Sequence, residues 1–218
     1  MDVDRSGMDF AERLSLWFGP LAAIRLQAVH QSIRAVPGAG RQGRGSPAGA
    51  IRSLEQDVQR VRGLLSRAIA QDPLALAGLD ARDPQAGYAP FRQRHVELQR
   101  QMEQMVGALR DHVRQVVGRH SIRLQPLVAL DAVLEEVLAP REQKLLPAVA
   151  ASLERRFAQL RRTHREAPDG DAASAGRGEW LDTFGQEWRQ VLLAELDLRL
   201  QPVAGLVEAL RNEHEQQA

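Results

Sequence analysis

The sequence predicts an all-α protein, an elongated helical bundle with coiled-coil-like packing, about five to seven helices and two flexible linkers. Two observations lead to this fold class. Between Pro90 and Arg165, apolar residues recur at alternating steps of four and three, which places them on one stripe of a helix. Stretches rich in glycine, proline and polar residues separate this region from helical patterns near both ends of the chain.

Residues 1–36 are predicted to form an N-terminal helical pair. The apolar face of the first helix consists of Phe10, Leu14 and Trp17 or Phe18. Gly19-Pro20 breaks the chain between the two helices, because proline fits the first turn of a new helix. The apolar face of the second helix consists of Leu21, Ile24, Ala28 and Ile33. Residues 37–50 (PGAGRQGRGSPAGA) are a predicted flexible linker, since they contain no large apolar residue.

Residues 51–165 are the predicted central helical bundle. Its first helix covers Ile51–Gln71, and Asp72–Ala89 is a loop with turn signals. A long helix is expected to begin at Pro90 and to end near His120. Its predicted inward stripe is Phe91, His95, Leu98, Met102, Met105, Leu109, His112 and Val116.

The last helical region of the bundle contains two internal prolines. It begins at Pro126, and we expect Pro140 and Pro147 to kink or divide it, because each removes a backbone hydrogen bond and crowds the preceding turn. A second flexible linker is predicted over residues 166–178.

The C-terminal residues 179–218 are predicted to form a helix that packs on the bundle. One part of it, ELDLRLQ, alternates polar and apolar residues with the period of a strand, but no second strand pattern exists to pair with it. As a helix, this part places Leu198 nearly opposite Leu196 and Leu200, which predicts burial on two faces.

Composition restricts the functional classes. The net charge is +1 and cysteine is absent, which argues against a strongly basic nucleic-acid binder and excludes thiol chemistry and disulfides. No apolar run has the length of a membrane span, and the N-terminus is too acidic for a signal peptide, so the expected location is the cytoplasm. Lys144 is the only lysine, a bias that a GC-rich genome explains better than selection for arginine contacts.

Motifs for catalysis or cofactor binding are weak. GAGRQG (Gly38–Gly43) matches the dinucleotide-binding fingerprint, but it follows a helical pattern instead of a strand. None of the histidines has the Glu-x-x-His spacing of helical metal sites. The adjacent Glu135 and Glu136 point about 100° apart on a helix and cannot flank one bond. We therefore expect no catalytic residues, no cofactor and no metal.

Charge is unevenly distributed along the chain. The candidate basic patch consists of Arg155, Arg156, Arg161, Arg162 and Arg165. It is followed by a segment with eleven acidic and four basic residues. Pairing between the two segments, or stabilisation of a helix end, is the favoured interpretation. An arginine-mediated nucleic-acid surface is the alternative.

Counting apolar faces indicates a candidate interface on the C-terminal helix. Its residues are Trp180, Phe184, Trp188 and Leu198. A single neighbouring helix cannot cover both Leu198 and the face opposite to it, so this face is expected to meet a second copy of the chain or a helical partner. The rival interpretation is that Leu127–Leu138 of the same chain covers it.

Several stretches resemble an uncharacterised, all-helical bacterial family, a domain of unknown function. They are DFAERLSLWFGPLAAIRL, YAPFRQRHVELQRQME, LDAVLEEVLAPREQKLL and WLDTFGQEWRQVLLAELDLRLQPVAGLVEALR. The resemblance covers most of the chain outside the two linkers and implies no catalytic residues. It also implies a setting, because genes of the family neighbour those for a large membrane protein with a long coiled coil and for a peptidoglycan-binding, motor-stator-like protein. The implied role is that of a cytosolic component of a bacterial envelope complex.

The sequence therefore predicts a non-catalytic helical interaction or assembly protein. Its expected partner has a coiled-coil or helical surface, or is a second copy of the chain, and membrane association is expected only through a partner. The alternative is the nucleic-acid-binding protein with the arginine patch described above.

Overall fold

The computed structural model describes residues 46–76, 87–166 and 179–217, together with Gln27 alone. Within these ranges all regular secondary structure is helical, which confirms the predicted all-α class. Four long helices and one helix of a single turn are described: α1 (Pro47–Ala70), α2 (Pro73–Leu76), α3 (Ala89–His120), α4 (Gln125–Glu166) and α5 (Glu179–Gln217).

The count of long helices is smaller than the predicted five to seven. Two of the predicted helices fall within residues 1–36, which lie outside the described residues apart from Gln27. The first linker, predicted over residues 37–50, is described only from Ser46, and its last four residues are already the first turn of α1. Pro47 suits that turn, because its missing N–H group would have no helical partner there. Of the second linker only Glu166 is described, as the last residue of α4.

Of the two expected effects of the internal prolines, a kink or a division of the helix, the division is wrong. α4 is one helix of 42 residues that contains both Pro140 and Pro147. Both prolines are exposed, and so are Glu136 and Gln143, whose carbonyl groups stand four residues earlier. Water can bind these carbonyls in place of the missing N–H groups, so each proline costs less here than it would in a buried helix.

Helix α5 is the centre of the bundle. It contacts α1, α2, α3 and α4, and it contributes more buried residues than any other described helix. Those residues are Leu181, Phe184, Gly185, Trp188, Leu192, Leu196, Leu200, Val203, Leu206, Val207 and Leu210. By contrast, α4 buries only Pro126, Asp131, Leu153 and Phe157 over its whole length.

Ion pairs show which helix ends lie together. Glu55 near the start of α1 pairs with Arg211 near the end of α5. Two residues further along α1, the Asp57 Oδ2 atom lies 3.8 Å from Nε2 of His112 on α3. Arg110 on the same part of α3 binds Asp131 in the first turns of α4. The start of α1, the start of α4 and the end of α5 therefore share one end of the bundle, which we call the Glu55 end.

The opposite end is filled by an aromatic cluster. Its members are Tyr88, Phe91, Phe157, Trp180, Phe184 and Trp188. Phe91 and Phe184 stand edge to face with ring centroids 5.0 Å apart, and Phe91 and Trp188 are 5.6 Å apart. These contacts join α3, α4 and α5 in a chain that has few aromatic residues.

Candidate interaction surface

Leu198 and Leu145 are the most exposed large apolar residues in the described part of the chain. Leu198 on α5 is 63% exposed and Leu145 on α4 is 60% exposed. On the other side of α5, Leu196 and Leu200 are buried, so the predicted helix over this stretch is correct but the expected burial on two faces is wrong. Residues 127–138 of α4 do not cover Leu198, and its role as an interface residue remains a prediction.

The aromatic residues of the candidate interface occupy the core. Phe184 and Trp188 have no exposed surface, and Trp180 is half-buried against Phe157, with ring centroids 5.3 Å apart. Their side chains pack on Phe91 and Phe157 and fill the aromatic end of the bundle. In this fold Phe184 and Trp188 cannot serve as a docking surface, whereas Leu198 and part of Trp180 are open to a partner.

The two exposed leucines lie at the same level of the bundle. Arg199 on α5 donates to Glu142 on α4 at 2.6 Å and to Glu195 at 2.9 Å. Leu198 precedes Arg199 in the chain, and Leu145 follows Glu142 by three residues, close to one helical turn. Leu145 belongs to the apolar repeat between Pro90 and Arg165, which predicts an inward position for it, and this prediction is wrong.

A second charged cluster joins α3 to α4 at the Glu55 end. Arg110 and Arg114 both bind Asp131 and Glu135. The side chains of Arg110, Arg114 and Asp131 are 14%, 11% and 10% exposed, so the cluster is largely withdrawn from water. Burial disfavours the charged form of Arg114, but hydrogen bonds to Glu135 and Asp131 outweigh it and raise the pKa.

The sequence pattern did not identify Glu135 as a member of this cluster. The available signal was the matching spacing: Arg110 and Arg114 are four residues apart, and so are Asp131 and Glu135. Such pairs place two cations on one helix face and two anions on another.

The arginines of the candidate basic patch have different surroundings in the structure. Arg156 donates to both carboxylate oxygens of Glu187 on α5, at 2.7 and 2.6 Å, which is the expected pairing with the acidic segment. These hydrogen bonds from Arg156 lower the pKa of Glu187. Arg155 donates to the Ala151 carbonyl oxygen one turn earlier.

The other three arginines of the patch line an open depression of about 380 Å³ near the end of α4. The depression is formed by Arg161, Arg162, Arg165, Tyr88, Glu154, Phe157 and Ala158. Burial, together with the nearby Glu154 carboxylate, raises the pKa of the Tyr88 hydroxyl to about 12, and this hydroxyl donates to the Ala150 carbonyl oxygen. The lining therefore combines cationic groups with an aromatic floor.

His95 is the one histidine of the described residues that is fully enclosed. It is 1% exposed, with its ring 6.4 Å from that of Trp188. Neither of its ring nitrogens has a hydrogen-bond partner within the described part of the chain, and the Trp188 Nε1 group has none either. Burial lowers the pKa of His95, and the Glu195 carboxylate opposes this only partly. His112, the other histidine of the predicted stripe, has a half-exposed side chain.

Two further kinds of feature are absent from the described residues. No group of three or more histidine, aspartate or glutamate side chains there could hold a metal ion. None of the described helices combines the length and the apolar character that a membrane crossing requires.

Comparison with known proteins gives one match. No curated protein and no solved structure matches the chain. A family defined by sequence matches residues 1–212, which include the helical patterns of the N-terminal segment, all of α1, α3 and α4, and α5 as far as Asn212. The chain belongs to this family, which is described as "Protein of unknown function (DUF3348)".

Proposed function

We propose that this chain is a non-catalytic interaction or assembly protein, an elongated bundle that binds the helical or coiled-coil surface of a partner protein. The observation that carries the proposal is the exposure of Leu198 and Leu145 on neighbouring helices at one level of the bundle. Exposed leucines lose contact with water when an apolar helix face packs against them, and each buried CH₂ group contributes about 0.8 kcal/mol.

Charged and polar groups near the two leucines could form the rim of such an interface. Glu142, Glu195 and Arg199 form an ion cluster between them, and Gln99 donates to Glu195 at 2.9 Å. Protein interfaces commonly combine a small apolar centre with charged and polar groups at the edge. The same groups connect α3, α4 and α5, and the Glu142 side chain is 45% exposed, as suits a residue at the rim.

We place this protein in the cytoplasm of a bacterium. The family resemblance suggests a place in an envelope complex with a membrane-anchored coiled-coil protein, and a long coiled coil presents the kind of apolar helix face that two exposed leucines fit. Catalysis forms no part of the proposal, because the described polar clusters are ion pairs that connect helices.

Substitution of Leu198 by Glu tests the proposal. Since Leu198 is largely exposed, the isolated chain should keep its circular dichroism spectrum, and its unfolding free energy should change by no more than about 0.5 kcal/mol. Self-association, or capture of a native partner from cell extract, should be lost. Gln201→Glu, at an exposed position one turn along the same helix, is the matched control and should retain binding.

Two results would reject this assignment. One is retention of partner capture in the Leu198→Glu, Leu145→Glu double variant. The other is a large loss of helicity in Leu198→Glu, which would make this residue part of the core.

A second candidate function is nucleic-acid binding through Arg161, Arg162 and Arg165. The observation in its favour is that these three side chains line one depression with two aromatic rings. Glu154 in the same lining and the pairing of Arg156 with Glu187 weaken the attraction for phosphate. Affinity for DNA or RNA at physiological salt should therefore be weak, and tight binding with a steep salt dependence would favour this candidate over the first.

A further inference from the structure

One side of α4 carries an apolar face that the core does not use. Its residues are Leu130, Leu134, Val137 and Leu138, which we call the α4 side face. Their spacing of four, three and one places them on one side of the helix, as in an amphipathic contact face. All four are half-buried, yet within the described residues none belongs to the core or to the apolar residues packed against it.

The direction of this face follows from the ion pairs of α4. Asp131 and Glu135 point towards α3, where they bind Arg110 and Arg114. Leu130 and Leu134 precede these residues by one position each, so they are turned from the contact with α3 by about 100°. The α4 side face therefore flanks the bundle contact, with Leu138 nearest to it, and extends over a little more than two helical turns.

The same chain contains a segment with the same pattern. Phe10, Leu14, Trp17 and Phe18 follow each other at steps of four, three and one, which are the steps of the α4 side face. Both patterns span eight residue steps, about 12 Å of helix. Two apolar faces of equal length and equal spacing can cover each other as ridges and grooves do in packed helices.

The start of α1 lies at a position from which residues 9–18 can reach the α4 side face. α1 begins at Pro47, and Glu55 and Asp57 place its first turns at the end of the bundle where α4 also begins. Between Phe18 and Pro47 lie 28 residues. The predicted second helix (Leu21–Ile33) takes up 13 of these residues and would be about 20 Å long, and the other 15 can extend by about 3.3 Å each, so the segment is long enough to reach Leu130–Leu138 from the start of α1.

We propose that residues 9–18 of this chain dock on the α4 side face and complete the bundle there. The match of a single family to residues 1–212 agrees with this, because it places the N-terminal segment and α4 in one conserved unit. The contact would cover apolar surface next to the Arg110–Asp131 cluster and leave Leu145 and Leu198 open. It is thus independent of the partner binding proposed above.

Distance measurement between two spin labels on the full chain tests the docking. The protein has no cysteine, so Ser15→Cys and Ala132→Cys introduce the only two labelling sites. Ala132 is exposed, and Ser15 lies off the predicted apolar face of its segment. Since packed helices lie about 8–10 Å apart, docking should give one narrow distance distribution below about 30 Å.

Leu14→Glu in the labelled chain should convert the narrow distribution into a broad one, because a carboxylate cannot enter the apolar contact without a large cost. This substitution lies outside the described bundle, and an unchanged circular dichroism melting curve would show that the bundle is intact. Leu16→Glu, on the opposite side of the predicted helix, is the matched control and should keep the narrow distribution.

Three outcomes would overturn the docking. The first is a broad distribution in the parent chain, and the second is a narrow distribution that survives Leu14→Glu. The third is a short distance that disappears when labelled chain is diluted with excess unlabelled chain, since this would assign the face to a second copy. Leu134→Glu provides the reciprocal change and should broaden the distribution in the same way as Leu14→Glu.

Discussion

The cluster of Arg110, Arg114, Asp131 and Glu135 allows a quantitative test of how α4 is held. Asp131→Ala removes the carboxylate that binds both arginines at distances between 2.6 and 2.9 Å. Both arginines then remain largely enclosed, with Glu135 as their remaining partner in the cluster. Removing one member of a buried ion cluster costs about 3–5 kcal/mol, and because the partly exposed Glu135 stays, we expect about 3 kcal/mol.

Urea denaturation followed by circular dichroism measures this loss, and two controls define its origin. Asp197→Ala breaks an ion pair with Arg62 in which both side chains are half-exposed, so it should cost less than about 1 kcal/mol. A triple replacement by Arg110→Met, Arg114→Met and Asp131→Leu removes all the charges except that of Glu135 and should recover much of the stability. If Asp131→Ala costs no more than Asp197→Ala, the cluster does not anchor α4 and the reasoning fails.

Two further predictions concern the enclosed residues of the core. Because burial lowers the pKa of His95 below its ordinary value of 6.5, the unfolded chain takes up a proton more readily than the folded one. The contribution of His95 to the unfolding free energy should be fully present above pH 6.5 and should be lost as the pH falls below that value. Melting experiments at a series of pH values measure this loss, and His95→Leu should make it smaller. Phe184→Ala should cost about 3–5 kcal/mol, because this ring has no exposed surface and touches three other aromatic side chains. If urea denaturation shows that Phe184→Ala lowers the unfolding free energy by less than about 1 kcal/mol, Phe184 is not a core residue and belongs to the candidate interface.

Helix positions could be predicted well because periodicity and proline placement act locally. The expected helix from Pro90 to near His120 agrees with α3 (Ala89–His120). The predicted inward stripe begins correctly at Phe91 and His95, but it then drifts. Towards the end of the helix the buried residues are Val106, Val113 and Val117 in place of Met105, His112 and Val116.

The drift has a simple geometric cause. The prediction used a repeat of 3.5 residues, whereas an unsupercoiled helix has 3.6 residues per turn and moves by about 20° per heptad relative to it. Over the length of α3 the accumulated rotation approaches the 100° that separates neighbouring residues. The buried face therefore shifts by one position, which places His112 towards solvent.

The sequence could not predict which element packs against each helix face. Periodicity identifies residues that share a side of a helix, but it carries no information about the element opposite. Trp188 and Leu198 both belong to apolar patterns of α5, and yet one is fully enclosed and the other is largely exposed. The ion clusters were missed for the same reason, since Arg110 and Asp131 become neighbours only when α4 folds back on α3.

The balance of contacts along α4 explains why the candidate surfaces gather on it. α5 is fixed by eleven buried residues, so its position leaves little freedom. α4 buries four residues, at its two ends, and between them its described contacts include the pairs from Glu135 to Arg114 and from Glu142 to Arg199. Ion pairs fix the rotation of a helix but cover little apolar surface, so the leucines in the middle of α4 are left for other partners. An apolar helix held mainly by charged groups is suited to bind further helices without repacking the core.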